Sequence, residues 1–256
     1  MANIVLGSGK IFFEIEDATT QLLTGGERYL AETPGFSISI SPTVLENWSS
    51  DGPVAEKNAQ VTTQVARGGS LTLRDIIEDN LALFLSGSTS TITQTSGAVV
   101  DEAYTAVKAD YWYQLGASLA NPTGVRGISS VVITGTGGTP TYVAGIDYEI
   151  DLVMARFRPI TGSAMVGVNV LADYTKAANT RKRITSDQIG PKTGALRFIA
   201  ENTTGTNRDL YIPRVQLAPN GDLAFKSRDT FQLMSFDLNI STRSGYAQVY
   251  LDGRAV

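Results

Sequence analysis

Three acidic residues, Asp147, Glu149 and Asp151, alternate along the chain. On a β-strand, whose side chains repeat every second residue, all three point to one side. Three converging carboxylates could hold a calcium ion. The same spacing also describes a solvated strand face, the preferred reading, so no metal site is expected. Gly135-Thr136-Gly137-Gly138-Thr139-Pro140 has the composition of a phosphate-cradling loop. It lacks the closing Lys-Ser/Thr pair and no helical pattern follows it, so a turn is expected. Tyr111, Trp112 and Tyr113 could stack on a sugar, with the two tyrosines on one side of a strand and Trp112 on the other. Packing is the commoner use of such a run. Asn47, Asn202 and Asn239 begin glycosylation sequons that carry no meaning without secretion.

What is missing bounds the chemistry further. The chain contains no His and no Cys. That removes the commonest general base and metal ligand near neutral pH, and with them thiol nucleophiles, disulfides and Cys-based zinc sites. A hydrolase working with two carboxylates is the enzyme class still open, but no acid–base relay supports it. No catalytic residue, no cofactor and no enzymatic activity are expected. The formal charge of −4 and pI near 5.0 argue against a protein that grips a nucleic-acid backbone. The first ten residues lack the charged and apolar regions of a signal peptide, and no apolar run approaches the roughly 18 residues that span a bilayer. Synthesis in the cytoplasm without membrane contact is expected.

The elements that must position any site are mostly strands. Phe36, Ile38 and Ile40 alternate with Ser37, Ser39 and Ser41 within residues 36–48. Residues 59–73 repeat the pattern, with Val61, Thr63 and Val65 on one face and Thr62, Gln64 and Ala66 on the other. The intervening Ser49 to Asn58 contains Ser-Ser-Asp-Gly-Pro, which is turn chemistry. The two strands form a long hairpin whose open edges invite pairing with another copy. One amphipathic helix is predicted from Asp75 through Leu85, stopped by Ser86-Gly87. Residues 86–98 read as a loop, followed by strands near 99–108 and 110–118. Residues 126–178 read as a separate insert of short strands near 129–134, 141–143, 147–151, 155–160 and 167–174. Arg181-Lys182-Arg183 reads as a solvated linker or interface rim. Strands resume at 195–201, 209–217, 231–240 and 246–251, with Pro219-Asn220-Gly221-Asp222 as a turn.

Taken together, several segments resemble the tail tube proteins of long-tailed bacteriophages. They are Gly9–Phe13, 24–34 (Thr-Gly-Gly-Glu-Arg-Tyr-Leu-Ala-Glu-Thr-Pro), Leu45–Ser50 and Glu78–Leu85. The most distinctive are Gly194–Phe198, Asn207–Pro213, Leu217–Asp222 and Val249–Arg254. Within the insert, Tyr142–Asp151 and Val170–Thr175 resemble small β modules of phage virion proteins. The resemblance implies a mainly β fold: a tail-tube β-sandwich or barrel with a long hairpin and one flanking α-helix, plus a small inserted β-sandwich. The framework domain would span 1–125 and 179–256, and the inserted Ig-like domain 126–178. It also implies a structural virion protein that stacks as hexameric rings into a hollow conduit for DNA ejection. Partners would be other copies of the chain, tape-measure and tail-terminator proteins, and phage DNA passing transiently through the lumen without specific binding. The location would be the virion tail, assembled in the host cytoplasm. Ser37, Ser39, Ser41, Thr62, Gln64 and Ala66 would face the lumen. Glu46, Asp51, Glu56 and Lys57 would reach the next ring. The competing expectation is a virion-surface adhesin or decoration module that binds host glycans.

Overall fold

Period-two patterning is realised most completely in the strand Met234–Ile240, where Met234, Phe236, Leu238 and Ile240 are buried and the residues between them are not. Such alternation, repeated along neighbouring strands, builds a sheet with one face on a core. The computed structural model describes residues 4–23, 25–186 and 190–254. It is mainly β, and its one described helix has seven residues. Among the described residues no helix is long and apolar enough to cross a membrane. Thr24 of the tail-tube resemblance and the first three residues of the expected leaderless start lie outside the described residues.

The chain divides into two units, Met1–Ser90 with Ile184–Val256, and Thr91–Arg183. The first unit contains β1 (Gly9–Ile15), β2 (Arg28–Tyr29), β3 (Gly35–Trp48), β4 (Lys57–Leu73), α1 (Glu78–Phe84), β14 (Lys192–Ala200), β15 (Arg208–Asn220), β16 (Met234–Ile240) and β17 (Tyr250–Gly253). Its sheet runs β2-β1-β14-β15-β16-β4-β3, with β17 on β15, and every pairing is antiparallel. The sheet is open: β3 ends it. The long strand β15 holds two neighbours along one side, β17 at Arg208–Tyr211 and β16 at Val215–Asn220.

The helix is shorter than its periodicity suggests. It starts at Glu78, because Ile77 is extended (φ −85°, ψ 161°). The buried Asn80 side chain donates to the carbonyls of Leu30 and Asp75 and holds that approach in place. Ser86 takes a positive φ of 47°, and Gly87 N–H returns to Ala82 O at 2.8 Å, closing the helix end. Phe84 meets Phe236 edge-on at 5.8 Å, which seats the helix on the core of Leu71, Leu196, Val215 and Phe236.

The second unit begins about 35 residues earlier than the expected insert at 126. It contains most of β5 (Ser88–Gln94), then β6 (Gly97–Tyr104), β7 (Tyr113–Gln114), β8 (Ile128–Gly135), β9 (Thr141–Tyr142), β10 (Tyr148–Asp151), β11 (Arg156–Pro159) and β12 (Val170–Lys176), and enters β13 (Asn179–Thr185). A four-stranded sheet, β6-β12-β8-β9, and a three-stranded sheet, β10-β11-β7, contribute to one core around Phe157, Leu115 and Ile133. The physical reason for the earlier boundary is long-range pairing. β6 adds to β12 through Val170↔Tyr104 and Lys176↔Gly97, and β7 adds to β11 through Phe157↔Tyr113. Val107, Leu115 and Val125 are buried in this second core. The expected loop at 86–98 is therefore largely strand β5, which pairs with β13. Arg181-Lys182-Arg183, expected as a linker, lies in β13. The turn expected at 219–222 starts later, since β15 runs through Asn220 and the connection to β16 spans 221–233.

Candidate functional site

The hairpin β3–β4 is the feature of the first unit that its own sheet does not use up. β4 pairs with β16 only from Arg67 to Leu73. Beyond that, residues 41–48 and 57–66 pair only with each other among the described residues. The last strands of the sheet thus continue as a two-stranded ribbon with no neighbour on either side. At the base, the ribbon is fixed by close backbone approach. A Cβ at Gly69 would lie 2.0 Å from Ser37 O, and one at Gly68 2.9 Å from Leu238 O, so both positions require glycine. Phe36 and Ile38 pack on the core, while Ile40, next on that face, is 62% exposed.

Directly opposed residues of an antiparallel pair share a face. One face therefore carries the row Ser37–Ser70, Ser39–Gly68, Ser41–Ala66 and Thr43–Gln64. Ser37 and Ser70 hydroxyls meet at 2.9 Å. A β-bulge then breaks the register: Thr43 opposes Gln64, but Val44 opposes Thr62. The extra residue, Thr63, donates its hydroxyl to Thr43 O at 3.2 Å. Two consequences correct the expected lumen set. Ser37, Ser39, Ser41, Gln64 and Ala66 do share a face, but Thr62 is on the other side, opposite Val44. Past the bulge the polar row is continued by an apolar pair, Leu45 and Val61, 67% and 60% exposed. Sequence alternation alone missed this pair, because nothing in Thr62-Thr63 marks an inserted residue.

The expected contact loop is also redrawn. The connection closes with Ser49 N–H on Glu56 O at 2.7 Å, and Asp51 and Glu56 lie in it, exposed. Glu46 and Lys57 lie in β3 and β4 and form an ion pair with each other; Lys57 also donates to Gln60. They tie the ribbon to itself. Val54 at the tip and Trp48 beside it are exposed.

The other candidate groups lie in the second unit. Glu149 and Asp151 do share a face of β10, and the hairpin register sets Glu149 opposite Arg158 and Asp151 opposite Arg156. The ion pairs measure 2.7 and 3.2 Å. The Asp151 carboxyl is held below its ordinary value, first by the Met154 N–H and then by Arg156. Asp147 precedes the strand and accepts from Val143 N–H and the Ser163 hydroxyl. The three carboxylates are thus committed to separate partners. Among the described residues no group of three or more acidic side chains is placed to hold a metal. Gly135–Pro140 is the turn between β8 and β9, closed by Gly135 N–H to Pro140 O. Tyr113 is stacked on Phe157 in the core. Trp112 is exposed, but Arg156 lies over its ring at 4.6 Å and Arg158 at 5.5 Å. A flat sugar would have to displace those cations.

One half-buried polar group had no sequence signal. The Glu102 carboxylate accepts Tyr104 Oη at 2.8 Å, Tyr174 Oη at 2.6 Å, and Gly116 N–H at 2.9 and 3.0 Å. Gly116 sits at φ +65°, where a Cβ would also meet Val125 at 2.6 Å. All four bonds are internal, so the cluster fastens β6, β12 and the 116 turn together and offers nothing to a ligand.

No curated protein matches this chain. Residues 4–244, which take in strands of both units, match the family described as "Protein of unknown function UCP028589", and the chain belongs to that family.

Proposed function

We propose that this protein is a structural subunit of a bacteriophage tail tube and acts by assembly rather than catalysis. The observation that carries the reading is the free ribbon. Residues 41–66 extend past the last flanking strand with no further strand on their edges among the described residues and with Leu45, Trp48, Val54, Val61 and Val65 exposed. Two-stranded ribbons are marginal alone, and an edge strand of 14 residues is a template for another chain. Each large apolar side chain that a neighbour buries is worth roughly 1.5–3 kcal/mol. In the proposed assembly six subunits join in a ring, the β3 edge of each ribbon pairing with the free β4 edge of the next, and the ribbons close into a barrel without free edges. The rings stack, and tape-measure and terminator proteins meet the finished tube in the virion tail.

Within that barrel, Ser37, Ser39, Ser41, Gln64 and Ala66 line the lumen, an uncharged wall that does not hold phosphates, and past the bulge, which adds twist, Leu45 and Val61 turn from the lumen onto the neighbouring chain. Thr62 is no longer assigned to it. Asp51 and Glu56 at the tip reach the next ring. The second unit is an inserted Ig-like β-sandwich carried on this framework. The tail-tube resemblance is densest in segments of β14, β15 and β17, which form the sheet that would be joined.

Electron microscopy of the concentrated full-length protein tests the reading. Rings or tubes with a central channel are expected. A strictly monomeric protein under all assembly conditions would sink it.

A further inference from the structure

The second unit gathers three arginines around one turn. In β13 the side chains alternate: Lys182 turns away and donates to Thr91 Oγ1, while Arg181 and Arg183 reach the same turn at 121–124. Arg181 donates to Gly124 O at 2.8 Å and Arg183 to Asn121 Oδ1 at 2.7 Å. Arg126 approaches from the chain beyond the turn and donates to the carbonyls of Thr123 and Val125. These acceptors are all neutral. Among the described residues neither Arg126 nor Arg181 has an acidic partner within ion-pair distance.

Arg181 lies between two cavities. One, of about 230 Å³, is lined by Lys176, Arg181 and Arg183 with Thr93, Thr95 and Asn121 among its polar groups. The other, of about 460 Å³, is lined by Arg126 and Arg181 above Leu152 and Val153. Among the described residues neither lining contains Asp or Glu. The Nη1 of Arg181 is enclosed and has no acceptor, nor has the Asn179 side-chain oxygen a donor. Burial, and then the charges of Arg126 and Arg183, hold the Arg181 guanidinium below its ordinary value. Clustered cations that repel one another are stabilised by an anion they can share, and guanidinium groups match tetrahedral oxyanions in geometry.

We infer that the larger cavity binds a tetrahedral oxyanion, a phosphate or sulfate group, held between Arg126 and Arg181. Its volume lies within the range of small-ligand sites, so the group is carried on a small body or arrives as the free ion. The inference does not depend on tube assembly.

The test uses the full-length protein and inorganic phosphate, with sulfate in parallel and chloride at matched ionic strength. Amide resonances of 121–126 and 179–183 are followed by NMR. Saturable shifts with phosphate and sulfate but not chloride are expected. Arg181→Gln should weaken binding at least about tenfold, the loss of one charge-assisted contact. Lys182→Gln, an equal charge change on the other side of the strand, should leave it unchanged. Arg126→Gln serves if Arg181→Gln does not fold. A glucose 6-phosphate arm separates sources: tighter binding than inorganic phosphate assigns the group to a sugar ester, equal binding to the free ion. Shifts that match chloride, or that survive both arginine variants, would overturn the inference. So would binding to a short DNA strand with none to inorganic phosphate.

Discussion

Both units carry a tryptophan at the surface, and the two are treated in opposite ways. In the second unit Trp112 is roofed by Arg156 and Arg158, and these arginines are in turn anchored by Asp151 and Glu149. Cation–π contact over an aromatic face is worth roughly 0.5–1 kcal/mol at an exposed site and finishes that surface from within the chain. In the first unit Trp48 has no ring or cation contact among the described residues, and it shares the ribbon with exposed Leu45, Val61 and Val54. Around Trp112 the second unit covers its surface with its own charges, whereas Trp48 on the ribbon has no such cover among the described residues. Polar groups also enter both units: the first buries Asn80, while in the second the half-buried Glu102 carboxylate meets two tyrosines.

The sharpest way to break the comparison is to remove the second unit. Deleting 126–178 takes away β8 to β12 but leaves β6 and β7 without partners and Val107 and Leu115 without a core. That variant is expected to misfold and aggregate. Deleting 91–183 and joining Ser90 to Ile184 through a short turn removes the second core whole. It is expected to give a soluble protein with one cooperative thermal transition and retained assembly. Soluble yield, sedimentation and calorimetry decide; a well-folded 126–178 deletion beside a collapsed 91–183 deletion would refute the division.

That boundary shows what the sequence hides. The Ser/Ile alternation of 36–41 makes the hairpin legible, because period two is a local property. The span of the second unit is not local. Residues 97–104 look like any short strand until Val170–Lys176 is laid beside them. Residues 88–94 have a loop-like content of Ser and Thr, yet Thr is β-branched and suits a strand once β13 supplies a partner. The carboxylate spacing at 149 and 151 is readable in a different way. The hairpin register 149↔158 and 151↔156 places an arginine opposite each, and that pairing can be counted along the chain once the turn at 152–155 is recognised. The bulge at Thr63 and the convergence of Arg126 with Arg181 have no such marker.

A smaller effect separates the two cores. Glu102→Gln keeps the shape of the side chain but replaces one accepting oxygen by a donor, so a phenol or the Gly116 N–H loses its acceptor. A loss of about 1.5–3 kcal/mol in the second unit is expected, with the first unit unchanged in denaturant unfolding. Alkali sharpens the same contrast. Burial, followed by the bond to Glu102 and its charge, raises the phenols of Tyr104 and Tyr174 well above their ordinary 10.0. Tyr148 is raised as well, by burial and then Asp147. These protons leave the unfolded chain first. The stability they contribute is therefore complete below pH 10 and declines as pH rises beyond it. In the first unit Tyr211 alone is raised. The second unit should unfold first in an alkaline titration followed by tyrosine absorbance. Loss of the first unit at lower pH would count against this ordering.

The smallest change in stability is expected where the change in behaviour is largest. Leu45→Glu combined with Val61→Lys places opposite charges at a directly opposed pair, so strand pairing and net charge are both kept. Both side chains are more than half exposed, so the monomer loses little burial, and its unfolding free energy should move by no more than about 0.5 kcal/mol. A neighbouring chain that buries this pair would instead have to desolvate two charges, which costs more than the apolar contact it replaces. Rings and tubes should therefore disappear by electron microscopy and sedimentation while the melting curve stays in place. If the variant assembles as before, the ribbon past the bulge is not the interface. If the monomer itself unfolds, Leu45 and Val61 hold the chain together rather than holding chains to each other. Either result would remove the proposed contrast between the uncovered ribbon and the surface that Arg156 and Arg158 cover at Trp112.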